Sequence, residues 1–136
     1  MNELFAQLSA ERGALLGAMI GLDEDTLNTA VLWDDWTIQD VLPHIAAWDG
    51  FEAQRLHLIA DNRLDEIAWT PVDERNAAWR TQFADMPIDM SMAMLQKERN
   101  GLRNALRYLP AGLIDTTVTV SDFDLPVKQT VVNSIE

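Results

Sequence analysis

Three segments of the chain carry apolar residues at alternating spacings of four and three, the pattern of a helix that buries one face. The segments run from about Asn2 to Gly21, from Thr37 to about Ile59 and from about Asp89 to Leu109. The predicted inner stripes are Leu4, Leu8, Glu11, Leu15, Ala18 and Leu22; Ile38, Val41, Ile45, Trp48, Glu52, Leu56 and Ile59; and Ile88, Met92, Leu95, Arg99, Leu102, Leu106 and Leu109. Three such helices predict an all-α protein.

Shorter elements connect and follow these helices. Thr37 and Asp40 form a capping box that starts the second long helix, and Thr70-Pro-Val-Asp73 predicts a further capped helix that ends near residue 84. Residues 33–36 are expected to be irregular, and 116–120 to form an extended loop rather than part of a sheet. From Pro126 onward the pattern is that of the opening turns of a fourth helix. We therefore predict a single domain, residues 1–136, with the fold of a four-helix bundle that has crossover connections and an incomplete fourth helix.

Charge and composition exclude some classes of function. The chain of 136 residues has 22 acidic and 10 basic residues, a net charge of −12, and no cysteine. Such a surface repels phosphate backbones and anionic lipid, so we expect neither a nucleic-acid nor a membrane partner. Without cysteine there are no disulfides or thiolate ligands, and the N-terminus has no signal-peptide pattern. We expect a cytoplasmic protein.

One charged residue interrupts the middle of each stripe: Glu11, Glu52 and Arg99. A charge at such a position costs several kcal/mol unless it is paired. One interpretation is a polar cavity at mid-height of the bundle, in which Arg99 bridges the two carboxylates or clamps an anionic ligand. The alternative is that the three side chains reach solvent at the edges of wider stripes.

His44 and Trp48 lie one turn apart on the second long helix. A histidine on the apolar side of a helix is either a metal ligand or a structural residue with satisfied hydrogen bonds. His57 has polar neighbours and is expected to face solvent. The five tryptophans fit an aromatic-walled ligand cavity or ordinary core anchoring.

The segment Trp36-Thr-Ile-Gln-Asp-Val-Leu-Pro-His44-Ile-Ala-Ala-Trp-Asp49 resembles the second helix of the DinB-like superfamily, which includes the N-terminal domains of mycothiol-dependent maleylpyruvate isomerases. That helix typically opens with tryptophan, a serine or threonine cap and an acidic residue, and then reaches a metal-binding histidine. The layout is similar over most of the chain, including a third helix that closes on Leu-Pro.

The resemblance implies a role for His44. In that family the equivalent histidine joins two others, spaced His-x-x-x-His on the fourth helix, in a site for a divalent metal. This sequence closes on Val131-Val-Asn-Ser-Ile-Glu136, about where that pair would begin. We therefore expect zinc or nickel at His44 only if the native chain supplies further histidines, and otherwise no cofactor.

Two classes of function remain open. The resemblance implies a metal-dependent thiol transferase or isomerase whose metal site is incomplete in this chain. The alternative is a non-catalytic bundle that binds a small apolar ligand or acts through dimerisation. Neither assigns catalytic residues. An incomplete fourth helix would leave apolar stripe residues uncovered, which predicts a homodimer.

Overall fold

The computed structural model of this protein describes residues 1–66, 70–120, 123–128 and 131. Most of the chain is helical, which confirms the all-α class. The helices are α1 (Asn2–Met19), α2 (Glu24–Thr29), α3 (Ile38–Ala60), α4 (Val72–Gln82) and α5 (Ile88–Tyr108), and the short strands are β1 (Val31–Trp33), β2 (Trp36–Thr37), β3 (Thr117–Val120) and β4 (Phe123–Pro126).

The caps of the two middle helices differ from each other. At α3 the predicted capping box is confirmed, since Thr37 Oγ1 accepts from the Asp40 amide at 3.2 Å and Asp40 Oδ2 accepts from the Thr37 amide at 3.0 Å. At α4 the predicted Thr70 cap is wrong. The N-cap residue is Pro71 and no side chain caps the helix, because α4 begins one residue later than the sequence pattern indicates.

Two predictions about the connecting segments are also wrong. Residues 117–120 are not an isolated extended loop, because they pair antiparallel with 123–126. The partner strand β4 contains an acidic residue and ends on a proline, so its composition does not indicate a strand. Residues 33–36 are part of a two-stranded hairpin in which β1 pairs with β2. Asp34 in its turn has a φ of 45°, a conformation that aspartate tolerates better than most residues.

The core consists of two apolar clusters on either side of a polar layer. The larger cluster joins the first half of α1 to the second halves of α3 and α5, and its fully buried members include Leu8, Leu56, Leu102, Leu106, Val127 and Val131. The smaller cluster joins the first halves of α3 and α5 to the end of α1, with Leu42, Ala46 and Leu95 at its centre. These pairings make α3 and α5 parallel and α1 antiparallel to both, so the chain crosses over between α3 and α5 through α4.

The predicted fourth helix is described in part. Pro126 is the last residue of β4 and not the start of a helix. Residues 127, 128 and 131 are helical, and Val127 and Val131 are fully buried. The rest of that prediction lies outside the described residues.

Candidate functional site

The structure separates the predicted pocket residues. Arg99 and Glu52 are buried, at 6% and 0% exposure, whereas Glu11 is exposed. The inward position on α1 belongs instead to Arg12. The prediction for Glu11 is therefore wrong, because the buried face of α1 follows residues 4, 8, 12, 15 and 19, and one residue along a helix turns the side chain by about 100°.

The polar layer between the two core clusters is built from two arginines and one carboxylate. Asp49 Oδ2 accepts from Arg99 Nε at 2.8 Å and from Arg12 Nη2 at 2.9 Å, while Asp49 Oδ1 accepts from Arg99 Nη2 at 3.1 Å. Arg99 also donates to the Leu8 carbonyl at 3.0 Å, and Arg12 to the Leu95 carbonyl at 2.9 Å. The layer thus ties α1, α3 and α5 together through side chains.

Sequence reasoning missed Asp49 and Arg12. The signal for Asp49 was a second stripe on α3, at residues 42, 46, 49, 53 and 56, which has the same four–three spacing. Its two alanines make it less apolar in sequence than the neighbouring stripe. Small side chains nevertheless let α5 approach closely, so this is the face that packs against α5.

Glu52 has a partner on its own helix. Its carboxylate is ion-paired with Arg55, three residues along α3. Burial lowers the pKa of the Arg55 guanidinium to about 10, so this guanidinium is still charged at neutral pH. The structure does not show Arg99 bridging Glu11 and Glu52: Arg99 is ion-paired with Asp49, Glu52 is ion-paired with Arg55, and Glu11 is exposed.

His44 lies against α4, not in the interior shared by the three long helices. Its ring centroid is 5.3 Å from that of Trp36 and 6.5 Å from that of Trp48, both edge-on. Trp48 is half-buried and does not reach the α3–α5 core. It packs edge-on against Trp79 of α4, with 5.0 Å between centroids, and its Nε1 donates to Asn76 Oδ1 at 2.9 Å. Trp48 therefore anchors α4 beside His44.

An open cleft of about 400 Å³ lies between α3 and α4. Its lining consists of Trp36, His44, Asp73, Asn76, Ala77 and Arg80. Arg80 lies over the Trp36 ring, 4.6 Å from its centroid, and is ion-paired with Asp35 at 3.0 Å. The cleft therefore combines an aromatic wall with an imidazole, a carboxylate, an amide and a guanidinium.

The imidazole of His44 is in an environment that disfavours its charged form. Burial lowers its pKa below the ordinary value, because desolvation disfavours the charged ring. Nδ1 is buried and has no hydrogen-bond partner among the described residues. A buried polar atom without a partner costs free energy, so the position of this ring is unfavourable for its Nδ1 atom.

The residues described do not fit the metal site that the family resemblance implies. Residues 1–66, 70–120, 123–128 and 131 contain no group of three or more histidine, aspartate or glutamate side chains placed to hold a metal ion. Asp73 lines the same cleft as His44, which makes two potential ligands where a transition-metal site usually has three or four. His57 is exposed, as predicted, and stacks against Tyr108 with 5.0 Å between ring centroids.

Comparison with known proteins adds no relative. No protein-family model matches the chain, and neither the curated proteins nor the solved structures give a match. Among the described residues, no helix is both long enough and apolar enough to cross a membrane.

Proposed function

We propose that this protein is a DinB-like helical protein that binds a small molecule in the α3–α4 cleft. The observation that carries the proposal is the position of the His44 imidazole, which lines an open cleft beside the Trp36 ring and is disfavoured in its charged form by burial that lowers its pKa. The volume of the cleft is within the usual range of small-molecule sites, and four of its six lining residues, His44, Asp73, Asn76 and Arg80, bring polar groups to it.

The ligand that suits this cleft has a flat apolar body and one hydrogen-bonding group. Trp36 and Ala77 supply the apolar part of the lining, and the imidazole of His44 supplies a hydrogen-bonding group. Asp73 adds a second acceptor at the rim. This ligand is more polar than the small apolar ligand of the alternative that the sequence left open.

Phenol and toluene make a matched pair of probes for this proposal, because they have nearly the same shape and phenol has a hydroxyl where toluene has a methyl group. In ligand-observed NMR, we expect saturable phenol binding and at least about fivefold weaker toluene binding, the loss of one neutral hydrogen bond. His44→Leu should remove this preference, and His57→Leu, at the exposed histidine, should keep it. Equal binding of the two probes, or an unchanged preference in His44→Leu, would refute the assignment.

The metal-dependent transferase or isomerase is supported by the family resemblance around His44 alone. It requires ligands beyond those that the described residues bring together. Equilibrium dialysis against zinc and against nickel, with wild type and His44→Ala, tests it directly. Stoichiometric metal in the wild type that is lost in His44→Ala would favour this enzyme over the binding protein.

A homodimer is also proposed, but on a different surface from the one that the sequence indicated. Val127 and Val131 pack in one buried cluster with the apolar residues at the start of α1 and the end of α5, so this surface is covered. Large apolar side chains are exposed at the other end of α1 and in β1, at Ile20 (83%), Val31 (59%) and Leu32 (50%). Sedimentation velocity should give a dimer that Ile20→Lys dissociates, and a wild-type monomer would exclude it.

A further inference from the structure

A second cavity, of about 380 Å³, lies between α1 and α5. Arg12, Arg99 and Arg103 line it, together with Ser9 and the apolar side chains of Leu16 and Met92. We call it the α1–α5 groove. It shares no lining residue with the α3–α4 cleft, so the function proposed above does not account for it.

The charge of the α1–α5 groove is opposite to that of the protein as a whole. The chain has 22 acidic and 10 basic residues, yet three arginines and no acidic residue are among the residues that line the groove in the described part of the chain. Lys and Arg gathered at one concave site on an acidic protein concentrate positive potential there.

Within the described residues, the positive charge of these arginines is only partly balanced by acidic side chains. Arg12 and Arg99 share the one carboxylate of Asp49, which leaves one positive charge, and Arg103 adds a second. Burial and the neighbouring Arg99 lower the pKa of Arg12, so the clustering of positive charge is unfavourable for this side chain. A bound anion would relieve that repulsion.

The same side chains have hydrogen-bond donors to offer. A guanidinium carries five N–H groups. In the described part of the chain, Arg12 donates to Asp49 and to the Leu95 carbonyl, and Arg103 donates through Nη2 to Ser9 Oγ at 2.5 Å. These bonds use fewer than five N–H groups on each arginine.

We propose that the α1–α5 groove binds a small organic anion, with its carboxylate or phosphate held by Arg12 and Arg103 and its apolar part against Leu16 and Met92. Planar guanidinium groups suit oxyanions because they donate two parallel hydrogen bonds. The cavity is within the usual size range for sites that hold small organic molecules.

Isothermal titration of the full chain with hexanoate tests this proposal. Inorganic phosphate and hexylamine serve as comparison probes for the charged head and for the chain. We expect hexanoate to bind, phosphate to bind more weakly and hexylamine not to bind, and we expect added salt to weaken hexanoate binding. Hexylamine binding as tightly as hexanoate, or no hexanoate binding at millimolar concentration, would overturn the proposal. If phosphate binds as tightly as hexanoate, the proposed contact of the ligand with Leu16 and Met92 is refuted.

Two pairs of variants locate the site. Arg103→Gln should weaken hexanoate binding about tenfold, the usual cost of one charge-assisted hydrogen bond. Arg107→Gln removes the same charge from the next turn of α5, outside the groove lining, and should change it less than about twofold. Equal losses in the two variants would mean that only overall charge matters and would refute the site.

The second pair fills the groove without touching an arginine. Gly13 lines the groove, and a Cβ added there or at Gly17 meets no atom within 4 Å. Gly13→Leu should therefore fold and block hexanoate, whereas Gly17→Leu, one turn along α1 and outside the lining, should bind it as the wild type does. Circular dichroism checks that both variants are folded. Unchanged binding in Gly13→Leu would place the anion elsewhere.

Discussion

Asp49→Asn is the sharpest test of the polar layer. The carboxylate is 1% exposed and accepts three hydrogen bonds from Arg12 and Arg99, whose side chains are 13% and 7% exposed. Removal of its charge leaves two buried guanidinium groups with no anion between them. Breaking a buried pair in this way costs about 3–5 kcal/mol, a large part of the 5–15 kcal/mol that typically stabilises a domain.

Urea unfolding followed by circular dichroism measures this loss. We expect the midpoint to fall with little change in slope, and the melting temperature to fall by about 10–20 °C for a chain of this size. Asp35→Asn is the matched control. It makes the same chemical change in the ion pair with Arg80, where the aspartate side chain is 80% exposed, and surface pairs of this kind contribute little.

A second substitution separates loss of charge from loss of packing. If uncompensated positive charge causes the destabilisation, Arg99→Met in the Asp49→Asn background should recover part of the lost free energy, because it removes one buried charge. The reasoning is refuted if Asp49→Asn is no more destabilising than Asp35→Asn, or if the two losses at Asp49 and Arg99 simply add.

Three further predictions concern stability. Thr37→Ala should lower the free energy of unfolding by about 1 kcal/mol, because it removes the α3 cap, whereas Thr70→Ala should leave the urea midpoint unchanged. Gly13→Ala should raise the free energy of unfolding by between about 0.5 and 1 kcal/mol. Gly50→Ala should stabilise the protein less, because the new Cβ would lie 2.6 Å from a carboxylate oxygen of Glu98 on α5, which must move. Equal urea midpoints for Gly13→Ala and Gly50→Ala would contradict this. Burial lowers the pKa of His44, so as pH falls below about 6.5 the unfolded chain takes up a proton before the folded one and stability declines. His44→Gln should show a smaller decline between neutral pH and pH 5 in parallel titrations, and identical curves would argue against a buried, neutral ring.

On α5, the spacing of apolar residues in the sequence was enough to predict most of the buried face. Its predicted stripe is correct from Leu95 to Leu109, including the buried position of Arg99. This helix packs along its whole length on α3, so one regular spacing describes its buried face. On α1 the spacing shifts after Leu8, so the position predicted to face inward is Glu11, whereas the structure places Arg12 there. Only contact with Asp49 and the Leu95 carbonyl distinguishes them.

The candidate site was predicted less completely than the fold. Trp36, His44 and Trp48 stood out in sequence because they lie near a capped helix start. Asp73, Asn76 and Arg80 did not, since they come from α4, some thirty residues further along the chain. Nothing local to either segment indicates that α4 lies over His44.

The sequence by itself determined the helical class, the ends of α3 and α5, and the cap at Thr37, because each depends on residues within a few positions of one another. The tertiary structure decided which carboxylate lies between the arginines, which helix covers His44, and that 117–120 finds a partner strand. These depend on which faces meet in three dimensions, and a shift of one residue on a helix is enough to exchange a buried charge for an exposed one.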